Sequence, residues 1–304
     1  MSEAVLLVSH GTVDDLDDLA AFVTNVRRGH PPSAEVVAEL RRRYEAIGGR
    51  SPLNAITAEV ARKLGARLGV PVVRANRLWK PGVREVVAGL AAGGTRRVVL
   101  VPLAQHSAAV YASDARTAID GLGVELASAS NWGQEGKLAD AFARRVVQAL
   151  AGVADLARTS VVVTAHSLPR AVVDAGDPYE REVRASAEAV MSRVRGAVGR
   201  DVHALVAFQS QGMSAGPGGR PVPWLGPDLA ATLDAVRGRG DASVVFAPIG
   251  FLADHVEVLY DLDIEAKAMA AGRGLSFARA PSLDADDDLV DVLADVARGL
   301  LSHG

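Results

Sequence analysis

The stretch SVVVTAHSLP, Ser160 to Pro169, drives an apolar run into a histidine, a serine and a proline. An imidazole at that point titrates near neutrality, accepts protons and ligates borderline metal ions. Farther along, GFLADHVEVLYDLDIEAKAM carries Glu257, Asp261 and Glu265 at four-residue spacing, with Asp254 and Asp263 adding charge. On a helix the three share one face, roughly 5–6 Å apart per step, and like charges so placed cost about 0.2–0.5 kcal/mol per pair. Hard divalent cations take such oxygen ligands, and a mixed oxygen and imidazole site suits Fe(II) or Zn(II). The acids alone describe a solvated helix face with Lys267 as counter-charge. His166 alone describes a satisfied strand-end residue. Taken together, and with the loop of Pro169 to Gly176 setting the histidine at a cleft, they favour a metal site.

A second apolar run, in AVLLVSHGT, also ends at a histidine, His10. Other chemistries lack their residues: there is no G-x-G-x-x-G after a strand, no Walker loop, no G-x-S-x-G elbow and no cysteine nucleophile. The glycine-rich SAGPGGRPVPWLGPDL lacks the lysine and hydroxyl pair of a phosphate loop and reads as a surface loop anchored by Trp224. His30 reads as an exposed loop residue, His203 as structural and His303 as tail, while His255 beside Asp254 orients the acidic segment.

The elements that must hold these side chains are short apolar runs rich in Val, Leu and Ala: Ala4–Ser9, Pro71–Ala75, Arg97–Leu103, Val124–Ser128, Thr159–Ala165, Val202–Phe208, Ser243–Pro248 and Leu275–Arg279. Continuous hydrophobicity marks strands covered on both faces, as in parallel sheets. Helical patterns such as Ala34–Ile47 and Lys137–Val153 lie between most of them, so the chain is α/β and doubly wound. Four strands fall before residue 150 and four after it, which predicts two similar domains, 1–150 and 151–304, each with a four-stranded parallel sheet. Within each half the first strand ends at a histidine (His10, His166), and the third passes a proline (Pro102, Pro248) before another (His106, His255). This weak repeat puts four imidazoles near the carboxyl ends of strands, where open α/β sheets bind ligands.

With 33 basic and 36 acidic residues in 304, there is no basic field to attract nucleic acid or an anionic membrane, and aromatics at 4% give no stacking surface. The first apolar run is too short for a membrane span, so a cytoplasmic protein without stable membrane insertion is expected. Zero cysteines exclude a thiolate-bound iron–sulfur cluster.

The chain resembles the ferrochelatases over nearly its full length, most closely the soluble bacterial type that metallates coproporphyrin III. The resemblance rests on RRGHPP (Arg27–Pro32), RYEAIGGRSPL (Arg43–Leu53), AHSLP (Ala165–Pro169), GDPY (Gly176–Tyr179), FQSQG (Phe208–Gly212), PWLGPDL (Pro223–Leu229) and ADHVEVLYDLDIE (Ala253–Glu265), in the family's order and approximate spacing. It implies two Rossmann-like domains of the class II chelatase type with the porphyrin between them, and ferrous iron as substrate. It further implies that His166 meets metal and pyrrole nitrogens, that Glu257 partners it, and that Asp261 and Glu265 continue as an acidic ridge. Arg27, Arg43, Tyr44 and Ser51 fall where the soluble branch holds the porphyrin and its propionates, and Trp224 is placed with them. A soluble monomer or weak oligomer is the expectation.

Three positions depart from the pattern. His10 stands where the soluble branch commonly has a tyrosine facing the product metal, which makes it a candidate axial ligand. Lys80 stands where many members have a histidine. Near Asp114 the branch has a tyrosine, so a substrate contact is either missing here or taken over by Tyr111. The alternatives are a protoporphyrin IX ferrochelatase, a non-catalytic haem or porphyrin carrier, and a cobalt or sirohydrochlorin chelatase.

Overall fold

The computed structural model describes residues 2–211 and 222–302, so the first half of the glycine-rich loop, Gly212 of FQSQG and His303 lie outside the described residues. The eight apolar runs form strands β1 (Glu3–Ser9), β2 (Val72–Asn76), β3 (Arg97–Pro102), β4 (Glu125–Ser128), β5 (Thr159–His166), β6 (His203–Gln209), β7 (Ser243–Ala247) and β8 (Ser276–Arg279). Every pairing is parallel, in two sheets of order β2-β1-β3-β4 and β6-β5-β7-β8. Burial follows from this: Ala4 to Val8 and Val161 to Val163 are almost fully enclosed, because helices cover both faces of each inner strand.

The two halves repeat in register. Leu7 pairs with Val101 in the first sheet and Val163 with Ala247 in the second, so laying His10 on His166 also lays Pro102 on Pro248. The repeat stops there. His106 and His255 stand four and seven residues beyond those prolines, so they are not equivalent.

Helices α1 (Leu19–Val26), α2 (Ala34–Ala46) and α3 (Leu53–Leu68) connect β1 to β2, and α4 (Val83–Ala92), α5 (Ala108–Ile119) and α6 (Gly136–Leu150) follow the next three strands. In the second half α7 (Arg170–Asp174) and α8 (Tyr179–Val198) lead to β6, and α9 (Leu229–Gly238) to β7. Helix α10 (Val256–Leu259), a π-helical segment (Asp261–Ala266) and α11 (Lys267–Gly272) lead to β8, and α12 (Asp287–Arg298) closes the chain.

The chain divides into one unit of residues 1–132, 252–256 and 284–304 and another of 133–251 and 257–283, rather than at residue 150. Helices α6 and α12 make the difference. Helix α6 buries Leu138, Phe142, Val146 and Leu150 and packs on α8 and β7, with an Arg193–Asp140 ion pair and a Ser186 hydroxyl bond to the Gly133 carbonyl. Helix α12 buries Leu289, Val290, Leu293 and Ala297 and packs on α3 and β3, where Lys63 pairs with Asp287 and Arg67 with Asp291. Each half thus supplies the last covering helix of the other half's sheet. Among the described residues no helix is long and apolar enough to cross a membrane.

Candidate active site

Strand β5 ends at His166, and the chain after β7 passes so close that Gly250 is obligatory. A Cβ there would stand 2.5 Å from the Cα of Ala165, while the Gly250 amide bonds the Thr164 carbonyl at 2.9 Å. The turn beyond His166 is fixed on every side. The Ser167 amide donates to the Gln209 carbonyl at 2.7 Å, its hydroxyl donates to the Leu225 carbonyl at 2.9 Å, and the Tyr179 hydroxyl donates to the His166 carbonyl at 2.9 Å. Trp224 enters through the same turn: it bridges Pro169, and the bonds Leu225 to Leu168 and Arg170 to Pro223 flank it.

The imidazole itself is oriented by Nδ1, which lies 2.5 Å from the Ser167 carbonyl and donates to it. Nε2 is thereby directed at Glu257, whose Oε1 is 3.5 Å away, and each side chain keeps 36% of its surface in contact with solvent. Burial draws the histidine down, but the Glu257 charge and hydrogen bond, the Ser167 carbonyl and the Asp261 charge outweigh it, and the pKa is pushed up to about 9. The raised pKa favours the imidazolium form of His166 opposite Glu257.

The last residue of β6 and the residue after it complete the surroundings. Gln209 donates from Nε2 to the Glu257 carbonyl at 2.9 Å, fixing the start of α10, and Ser210, with φ +60°, turns its hydroxyl onto Asp261 in a short hydrogen bond. Asp261 is buried. The amides of Ile264 and Glu265 both reach the Tyr260 carbonyl, at 3.2 and 3.0 Å, so the helix widens into a π turn here. This corrects the expected α-helical row. Asp263 is bound by Arg279 instead, at 2.7 and 3.0 Å. Among the described residues no group of three or more His, Asp or Glu side chains is gathered closely enough to hold a metal ion. The set His166, Glu257, Asp261 and Glu265 is therefore not assembled as one ligand sphere; His166 and Glu257 are brought together, and Asp261 is turned onto Ser210. Gln209 and Ser210 lie within the FQSQG motif with no local signal for these roles, and the π turn has none beyond its acids.

The remaining site residues belong to the first unit. His10 is exposed, with Nδ1 3.2 Å from the Gly11 carbonyl, the same tethering that His166 has, and its ring meets Phe22 edge-on at 6.0 Å. Tyr44 lies in the core with its hydroxyl 2.6 Å from that of Thr12, and Ser51 is buried, so neither offers a free surface. Arg43 bonds Glu39 at 2.8 Å, and Arg42 with Arg43 holds that carboxyl down at about 2. Arg27 is half-buried at the end of α1. Lys80 pairs with Asp18 at 3.2 Å and lies over the Trp79 ring. Of the other two strand-end imidazoles, His106 is buried within this unit and His255 bonds the Ala253 carbonyl at 3.0 Å.

Two four-stranded parallel sheets flanked by helices are the fold of the chelatases that this structure resembles. SirB from Bacillus subtilis with Fe3+ shares this fold at TM-score 0.60 and 15% identity, covering 99% of this chain and 96% of that one. CbiX, the terminal enzyme of sirohaem biosynthesis in denitrifying bacteria, matches at TM-score 0.57 and 16% identity over 98% of this chain and 99% of that one. The family model described as Ferrochelatase matches residues 2–300. A ferrochelatase of Thermus thermophilus is 35% identical over 96% of this chain and 97% of its own length, and a coproporphyrin III ferrochelatase of Bacillus subtilis 33% over 96% of each. The chain belongs to the ferrochelatase family, and with it to the enzymes of haem biosynthesis that insert iron into a porphyrin.

Proposed function

We propose that this enzyme inserts Fe(II) into coproporphyrin III, with His166 and Glu257 as its essential pair. The observation that carries the reading is the 3.5 Å approach of His166 Nε2 to Glu257 Oε1, with Nδ1 tied to the Ser167 carbonyl. Insertion exchanges one Fe(II) for two pyrrole protons, so the site needs a base and an exit for protons. Once deprotonated, Nε2 accepts a pyrrole proton and hands it to Glu257, which faces it. Asp261, held by Ser210, supplies a second negative charge that stabilises the imidazolium so formed. The carboxylates attract the incoming cation, and the histidine releases it because a single imidazole binds reversibly.

The tetrapropionate substrate is favoured by the arginines Arg27 and Arg43, since guanidinium groups bind carboxylates bidentately. Relatives described as coproporphyrin III ferrochelatases, among them those of Anoxybacillus flavithermus and Bacillus pumilus at 34% and 33% identity, support the same choice. The reading takes the enzyme as a cytoplasmic monomer with His10 on the porphyrin side. Anaerobic Fe(II) insertion followed by loss of porphyrin fluorescence, with coproporphyrin III and protoporphyrin IX in parallel, tests it. A large preference for coproporphyrin III is expected; a preference for protoporphyrin IX overturns the substrate assignment, and no insertion into either overturns the reaction.

A further inference from the structure

A pocket of about 320 Å³ opens in the first unit, lined by Asn25, Gly29, Arg77, Leu78 and Trp79. Its floor is rigid. The Arg77 and Leu78 amides bond the carbonyls of Ser9 and His10 at 2.8 and 3.1 Å, and the Asn25 side-chain amide donates to the Leu78 carbonyl at 3.1 Å. Trp79 meets Phe22 edge-on at 5.7 Å, and Phe22 meets His10, so the indole wall is two ring contacts from that imidazole.

Arg77 is the cation of this pocket. Its Nε donates to Asp114 at 2.5 Å and its guanidinium lies 5.3 Å from the centre of the Tyr111 ring. Tyr111 is buried, which corrects the expectation that it could take over a substrate contact: it is the platform beneath the arginine. The hydrogen bond to Asp114 uses one edge of the guanidinium, and the terminal nitrogens have no hydrogen-bond partner among the described residues. Asp114 is 51% exposed against 20% for Arg77, so the carboxylate that pairs with Arg77 is the better solvated partner and the pair contributes little net stability. A guanidinium preset on an aromatic face, beside an indole wall, fits a carboxylate carried on a flat apolar body.

Resting on the reading of the enzyme as a porphyrin metallase, we propose that this pocket is a propionate subsite and that Arg77 is the residue that anchors the carboxylate. The test is fluorescence titration of coproporphyrin III onto the iron-free full chain, with steady-state insertion alongside, for wild type, Arg77→Gln and Asp114→Asn. Arg77→Gln is expected to weaken binding and raise KM about tenfold or more with kcat held within about twofold, as loss of a charge-assisted pair in the ground state requires. Asp114→Asn is expected to bind as tightly as wild type or more tightly, because a competitor for the guanidinium is gone. Equal losses in both variants overturn the proposal, since Arg77 would then act only through its ion pair, and wild-type binding by Arg77→Gln overturns it outright. If the wild type itself binds no porphyrin, the metallase reading and the subsite fall together.

Discussion

Replacing Glu257 with Gln keeps the shape of the site and removes the charge that holds His166 protonated. The imidazole has a pKa of about 9 against an ordinary 6.5, and burial alone would have lowered it. An opposite charge at this range moves a pKa by about 1–3 units, so the histidine of Glu257→Gln should titrate lower by that amount. The shift also has a sign in stability. A group whose folded pKa is raised contributes fully below its unfolded value, here 6.5, and the contribution is lost as pH rises through about 9. Unscreened, the shift would be worth about 3 kcal/mol at 1.36 kcal/mol per unit. Both side chains are 36% exposed, and water screening brings that to about 1 kcal/mol. The assay is a titration of the imidazole nitrogens by NMR on metal-free, histidine-labelled protein, with His166 assigned from its substitution. A wild-type midpoint near 6.5, or one that does not move in Glu257→Gln, would refute the reasoning. The same coupling predicts that insertion by the wild type speeds up as pH rises toward about 9, because only the neutral imidazole accepts a pyrrole proton.

His166→Ala should lower the insertion rate by about 100-fold or more while shifting the melting temperature by no more than about 2 °C, since the side chain sits at a strand end and contributes little packing; turnover near wild type would remove it from the mechanism. Gly250→Ala must push a methyl group against the Ala165 backbone, at a cost of about 1–3 kcal/mol in denaturant unfolding, and should slow insertion through displacement of the end of β5. Burial lowers the pKa of His106 to about 4, so the unfolded chain binds its proton first as pH falls. The stability at stake, at most about 3 kcal/mol, is complete above pH 6.5 and is lost between there and about 4. His106→Asn should flatten that slope, and an unchanged slope in the variant would argue against the assignment.

Both ends of the candidate site could be read from local pattern because each is set by a local cause. His166 follows a run of residues that a doubly covered strand demands, and the carboxyl end of such a strand is where side chains reach a ligand. Glu257 and Asp261 were conspicuous because like charges at helical spacing are unfavourable without a purpose. Their partners were not conspicuous. Gln209 and Ser210 lie some fifty residues from the carbonyl and carboxylate they hold, and only the register of β6 beside β5 brings them there. Tyr44 is a case in the other direction: its motif suggested a ligand contact, and packing against Val13, Leu19 and Phe22 makes it core.

Short segments carry the eight strands and their parallel pairing into two similar sheets, because apolar run length and burial on both faces are local properties, whereas the pairing of His166 with Glu257 followed from the family resemblance and not from spacing. The tertiary structure alone decided which sheet each terminal helix covers, the π turn that takes Asp261 onto Ser210, and the guanidinium of Arg77 set over Tyr111. Each of these depends on surfaces far apart in the chain, where burying one apolar face or satisfying one carboxylate has several near-equal local solutions and only the assembled core selects among them.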